Sequence, residues 1–223
     1  MLIATFLFPN EPATDILPER IGTHTWDTLH ASKLDLLRAK KNGKLLRYDP
    51  KTEKVDILAD GIWFANGIAI DKDETFVMIS ETFSSRALKY NIQDGSVEVM
   101  ADRFPGYPDG ADCSHKTGRC YAPMPSSEPG IVKFLKKLPN YFDLIPRALV
   151  MILPKSLSPK PVKYGGIVEI IPGNKVQPSR IERIIQDPKG DYFSMLTGVS
   201  EYKGKLYLGS LTNDFIGVFD LSK

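Results

Sequence analysis

The sequence predicts an all-β chain that forms part of a β-propeller, about three blades of it, with one helical or irregular insertion at about 125–163. Three observations carry this prediction. Short runs rich in β-branched and aromatic residues follow one another with turn chemistry between them. They recur at blade size: Gly67 to Gly110 is 43 residues and Tyr48 to Tyr90 is 42, against about 40–45 residues for a blade of four antiparallel strands. No helical spacing interrupts Lys44–Met100.

The chain divides at about residue 43. Residues 1–43 form a poorly defined N-terminal segment, and residues 44–223 the propeller part. Met1–Phe8 (MLIATFLF) is apolar but lacks a basic flank and a small-residue cleavage pattern before Pro9, so it reads as a strand or a damaged N-terminus rather than a signal. Asp35–Lys41 leads into Asn42-Gly43, a hairpin signal. His24, alone in its loop, reads as a solvated or capped side chain.

From Lys44 the strands come in order. KLLRYD (44–49) and KVDIL (54–58) are separated by a polar turn at Pro50. The next unit is GIAID (67–71), TFVMISE (75–81), RALKYN (86–91) and SVEVM (96–100), the last two joined through Asp94-Gly95. A second unit runs GADC (110–113), RCYAP (119–123), GIVEII (166–171) and RIERII (180–185); a third begins TGVSEY (197–202), KLYLGS (205–210) and FIGVFD (215–220). Gly110 to Gly198 is 88 residues, and removing the 39 of Pro125–Lys163 leaves 49, close to the same period. These runs make thirteen strands, too few to close a ring of about 4–8 four-stranded blades. The expectation is a propeller whose front lies outside this sequence.

Composition excludes some classes. With 29 basic and 27 acidic residues the net charge is +2, which argues against a nucleic-acid surface. No apolar run approaches the roughly 18 residues that cross a bilayer.

Two short steps carry the candidate chemistry: FANG (Phe64–Gly67) and YPDG (Tyr107–Gly110). Each puts an amide or a carboxylate one residue before the innermost strand of its blade. Innermost strands ring the propeller axis, so Asn66 and Asp109 are expected side by side at one mouth of the central tunnel. Both are hard oxygen donors of the kind Ca²⁺ takes. Asn-Gly and Asp-Gly are also ordinary turn formers, and spacing alone does not choose between the two.

The stretch GKLLRYDPKTEKVDILADGIWFANGIAIDKDETFVMISET (Gly43–Thr82), with FPGYPDGADC (Phe104–Cys113) and EYKGKLYLGSL (Glu201–Leu211), resembles the strictosidine synthase-like family, especially its adipocyte plasma membrane-associated protein branch. The resemblance covers about residues 40–223. It implies a six-bladed propeller related to gluconolactonase and paraoxonase hydrolases. It also implies that Asn66 and Asp109 ligate calcium, that Asp109 doubles as general base, and that the substrate is a lactone or aryl ester. Two departures qualify this. The family's remaining calcium ligands belong to blades before residue 44, so the ligand set here is incomplete and binding by this chain alone should be weak. The glutamate that strictosidine synthase proper uses has no counterpart in DYFSMLTGVS (Asp191–Ser200), where Asp191 is the nearest carboxylate, which disfavours a condensing activity.

The insertion carries seven basic residues against Glu128 and Asp143. Apolar residues at helical spacing (Ile131, Val132, Phe134, Leu135, Leu138) and the run Ala148–Leu153 suit a lid over the tunnel, or a membrane surface touched through 131–153. The resemblance, if it holds, implies an endomembrane, ER or membrane-associated location. Cys113 and Cys120 flank a hairpin turn, and free thiols are expected because cross-strand disulfides are uncommon. The functional expectation is a calcium-assisted hydrolase of lactones or aryl esters, with a non-catalytic, membrane-associated propeller module as the alternative.

Overall fold

The computed structural model describes residues 2–5, 41, 43–128, 130, 163–174 and 176–222. Each of the thirteen runs marked in the sequence coincides with a strand, and three further strands bring the described total to sixteen.

The strands build a series of antiparallel sheets. The first holds β1 (Leu2–Thr5), β2 (Gly43–Asp49) and β3 (Lys54–Ile62) in spatial order. The second is a four-stranded meander of β4 (Ala65–Ile70), β5 (Phe76–Glu81), β6 (Arg86–Asn91) and β7 (Val97–Ala101). The third runs β9 (Asp112–Cys113), β10 (Cys120–Met124), β12 (Gly165–Ile171) and β13 (Arg180–Asp187). A short pair, β8 (Gly106–Tyr107) with β11 (Ser126–Ser127), sits between these elements, and the last sheet is β14 (Leu196–Tyr202), β15 (Lys205–Ser210) and β16 (Gly217–Asp220). The two complete four-stranded sheets are blades, and the architecture is a partial β-propeller.

Alternation decides the packing. On β5, Val77 and Ile79 face Leu45, Ala59 and Ile62 of the first sheet, while Phe76 and Met78 face Cys120, Ala122 and Met124 of the third. On β10 and β12, Tyr121 and Ile167 turn the other way, onto Leu196, Leu206 and Leu208 of the last sheet. Every residue of β5 and β10 is buried, because a middle strand of a stacked sheet has neighbours on both faces and so needs apolar residues at both parities. The core is therefore three layers, one between each successive pair of sheets.

Two readings are corrected here. Ser126–Ser127 lies inside the stretch read as an insertion without strands, yet it pairs with Gly106–Tyr107. The cysteines are not free thiols: Cys113 and Cys120 are direct cross-strand partners with Cα atoms 4.0 Å apart, and they form a disulfide. The turn between them brings the two sulfurs together inside the core, where both residues are buried. The helical reading of 131–162, the membrane-facing reading of 131–153, and His24 lie outside the described residues.

Candidate functional site

The FANG step is built by the end of β5. Buried Glu81 accepts the Trp63 backbone N–H at 2.8 Å and pairs with Arg86. Phe64 takes a positive φ of 60° and packs its ring on Phe83 at 4.5 Å. Ala65 then pairs with Glu81 and Ile68 with Ile79, so Asn66 and Gly67 together face Ser80. This irregularity, two residues against one, re-aims the side chains around it.

The YPDG step is held from the preceding sheet. Thr82 Oγ1 donates to the Pro108 carbonyl at 2.7 Å and Ser80 Oγ to the Gly110 carbonyl at 2.9 Å. The Asp109 N–H donates to the Pro123 carbonyl at 2.9 Å. One blade's hydroxyls thus position the next blade's entry loop.

These loops meet. The Gly67 N–H donates to the Asp109 carbonyl at 2.7 Å, and the Asn66 side chain hydrogen-bonds the Asp109 carboxylate. Burial pushes the Asp109 carboxyl up to about 6, and the Asn66 hydrogen bond pulls against that rise. The same joint recurs one blade on, where the Gly110 N–H donates to the Thr197 carbonyl at 3.1 Å. Asn66, Asp109 and Thr197 therefore occupy one repeated position, each just ahead of a glycine.

The sequence reading paired Asn66 with Asp109 and left out Thr197, Ser80 and Thr82. For Thr197 the signal was present, since Thr197-Gly198 opens its unit as Asn66-Gly67 and Asp109-Gly110 open theirs. Ser80 and Thr82 carried no sequence signal, because their partners lie 26 to 30 residues away on another sheet. His115 and Asp191 are exposed and take no part in the contacts that build these steps. Two surface clefts, one around Arg47–Asp56 and one around Ser84–Arg86, are not lined by Asn66 or Asp109.

Calcium fits this pair in donor type and not in number. Asn66 and Asp109 offer hard oxygens, but the ion takes about 6–8. Among the described residues no group of three or more His, Cys, Asp or Glu is placed to hold a metal. What the pair can do unaided is hold a carboxylate that exchanges its proton near neutral pH, with an amide to orient it.

Residues 23–95 match the family described as strictosidine synthase. Protein STRICTOSIDINE SYNTHASE-LIKE 10 of Arabidopsis thaliana is 29% identical over 83% of this chain and 49% of its own length. Adipocyte plasma membrane-associated protein of Mus musculus is 27% identical over 91% of this chain and 50% of its own. A solved luciferin-regenerating enzyme superposes with a TM-score of 0.46 at 18% identity, over 82% of this chain and 48% of that one. The chain spans about half the length of the curated relatives it matches.

Proposed function

Since this chain is similar to the strictosidine synthase-like proteins, we propose that it supplies the general base of a hydrolase acting on lactones or aryl esters. The observation that carries the reading is the Asp109 carboxyl, raised to about 6 by burial beside Asn66. A base is most effective when its pKa lies near the working pH. In the proposed step the Asp109 carboxylate takes a proton from water as the water oxygen bonds to the substrate carbonyl carbon. The tetrahedral intermediate then collapses, the C–O bond to the leaving oxygen breaks, and that oxygen takes the proton back from Asp109. Asn66 keeps the carboxylate aimed. A calcium ion completed by donors beyond the described residues would polarise the substrate carbonyl.

The test is hydrolysis of phenyl acetate and of a lactone by protein containing this chain, with and without EDTA, beside Asp109→Ala. Activity in the parent that falls at least tenfold in the variant supports the reading. Activity no higher than that of Asp109→Ala overturns it. Loss with EDTA assigns the chemistry its calcium-assisted form.

The second reading is a non-catalytic propeller module associated with membranes. It rests on the likeness to adipocyte plasma membrane-associated protein of Mus musculus. A strictosidine synthase-type condensation has less behind it, because Asp191–Ser200 holds no glutamate.

A further inference from the structure

The strands β4, β9 and β14 each open a sheet, and each follows or contains one of the repeated steps. They are not held alike. β4 pairs with β5 at four residues and β14 with β15 at six. β9 pairs with β10 at two, Asp112 with Tyr121 and Cys113 with Cys120. So short a ladder leaves few backbone hydrogen bonds to fix its register. β9 is also the strand into which Asp109-Gly110 leads. The disulfide lies on this thinnest ladder, and neither β4 nor β14 holds a cysteine.

The other contacts of this segment reach neighbouring sheets. The Asp109 carbonyl accepts the Gly67 N–H, and the Gly110 carbonyl accepts Ser80 Oγ. Asp112 accepts the Glu201 N–H at 2.9 Å, and Ser114 Oγ donates to the Glu201 carboxylate. Within its own sheet the segment has the Asp109 N–H on the Pro123 carbonyl, the two ladder pairs and the disulfide. Of these four ties the disulfide alone is covalent.

We propose that the Cys113–Cys120 disulfide positions the Asp109 loop in place of a strand ladder, and that reduction of the pair frees that loop. Its consequence for catalysis rests on the hydrolase reading; the positioning does not. Reduction needs a dithiol. One thiolate of the dithiol attacks a cysteine sulfur, the protein S–S bond breaks and a mixed disulfide forms. The second thiol then displaces the protein sulfur and closes the reagent's own disulfide. Two electrons and two protons pass to the cysteines. His115–Thr117, at the tip of the hairpin between them, is exposed, and opening that turn uncovers both buried sulfurs. A base held about an ångström out of place loses much of its effect.

The test is amide exchange in protein containing this chain, before and after reduction by dithiothreitol, and in the variant carrying both Cys113→Ser and Cys120→Ser. Gly67 and Gly110 report the joint, because their N–H groups donate to the Asp109 and Thr197 carbonyls; the buried strand β5 is the reference. Exchange at the two glycines is expected to quicken at least tenfold more than in β5, and to recover on reoxidation with oxidised glutathione. In protein that hydrolyses phenyl acetate, kcat falls at least tenfold on reduction while KM changes less than threefold. Oxidised protein without hydrolysis counts against the hydrolase reading, and exchange then decides the positioning by itself. Equal quickening at all three places marks the disulfide as a general stabiliser and overturns the proposal. So do unchanged exchange at Gly67 in the variant, a pair that dithiothreitol leaves intact in the folded protein, and hydrolysis indifferent to reduction.

Discussion

Gly67 and Asp109, 42 residues apart in sequence, share one backbone hydrogen bond of 2.7 Å, and the glycine has no room for a methyl beside that same carbonyl. The joint between two blades is therefore backbone against backbone. It also fixes the distance between the side chains of Asn66 and Asp109, so stability and the candidate site depend on one contact.

Gly67→Ala is expected to cost about 3 kcal/mol, in the range of overpacked cores. The neighbour it strikes is backbone, which cannot swing aside. Gly198→Ala, with open space, is expected to change stability by less than about 0.5 kcal/mol. Denaturant midpoints of the two variants check this, and equal losses would refute the packing account.

Asp109 makes stability depend on pH. Its folded pKa of about 6 lies above the unfolded value of about 3.9, so the folded state binds more protons between the two. Stability is then highest below about pH 4, falls as pH rises through about 6, and is flat above. The swing is at most on the order of 3 kcal/mol. Asp109→Asn is expected to remove this component from the difference between urea midpoints at pH 4 and pH 7. Asn66→Ala, by removing the hydrogen bond that lowers the pKa, should move the fall to higher pH.

Glu169 is fully buried between Arg119 and Arg183, and Arg183 also reaches the Leu221 carbonyl at 3.3 Å and stacks near Phe219. Losing the carboxylate charge leaves two partly exposed guanidinium groups without their shared partner, and water makes up part of that loss. Glu169→Gln is expected to destabilise by about 2 kcal/mol and to loosen β16, seen as faster amide exchange there than in β5. Protection unchanged in β16 would separate the triad from that strand.

The disulfide is expected to leave no thiol reactive toward an alkylating reagent in denaturant until reductant is added. Replacing both Cys113 and Cys120 by Ser should cost about 2 kcal/mol, the scale for a short closed loop. Two equivalents of label without reductant would show the pair to be free.

Strand positions, their order and the blade period were all legible in the residues from Lys44 onward. Those features are local: alternation along a strand and the turn chemistry of Asp94-Gly95 or Pro50 act within a few residues. The repeated pairing of a polar residue with glycine was legible too, and pointed to Asn66 and Asp109. Only the tertiary structure decided what meets across sheets. It brought Thr82 to Pro108, and it put Thr197 at the same joint as Asn66 and Asp109. Such contacts depend on which face of one sheet lands on which face of the next, and burial, not sequence spacing, sets the pKa of Asp109. The chain alone writes its strands; the stacking of sheets selects the partners.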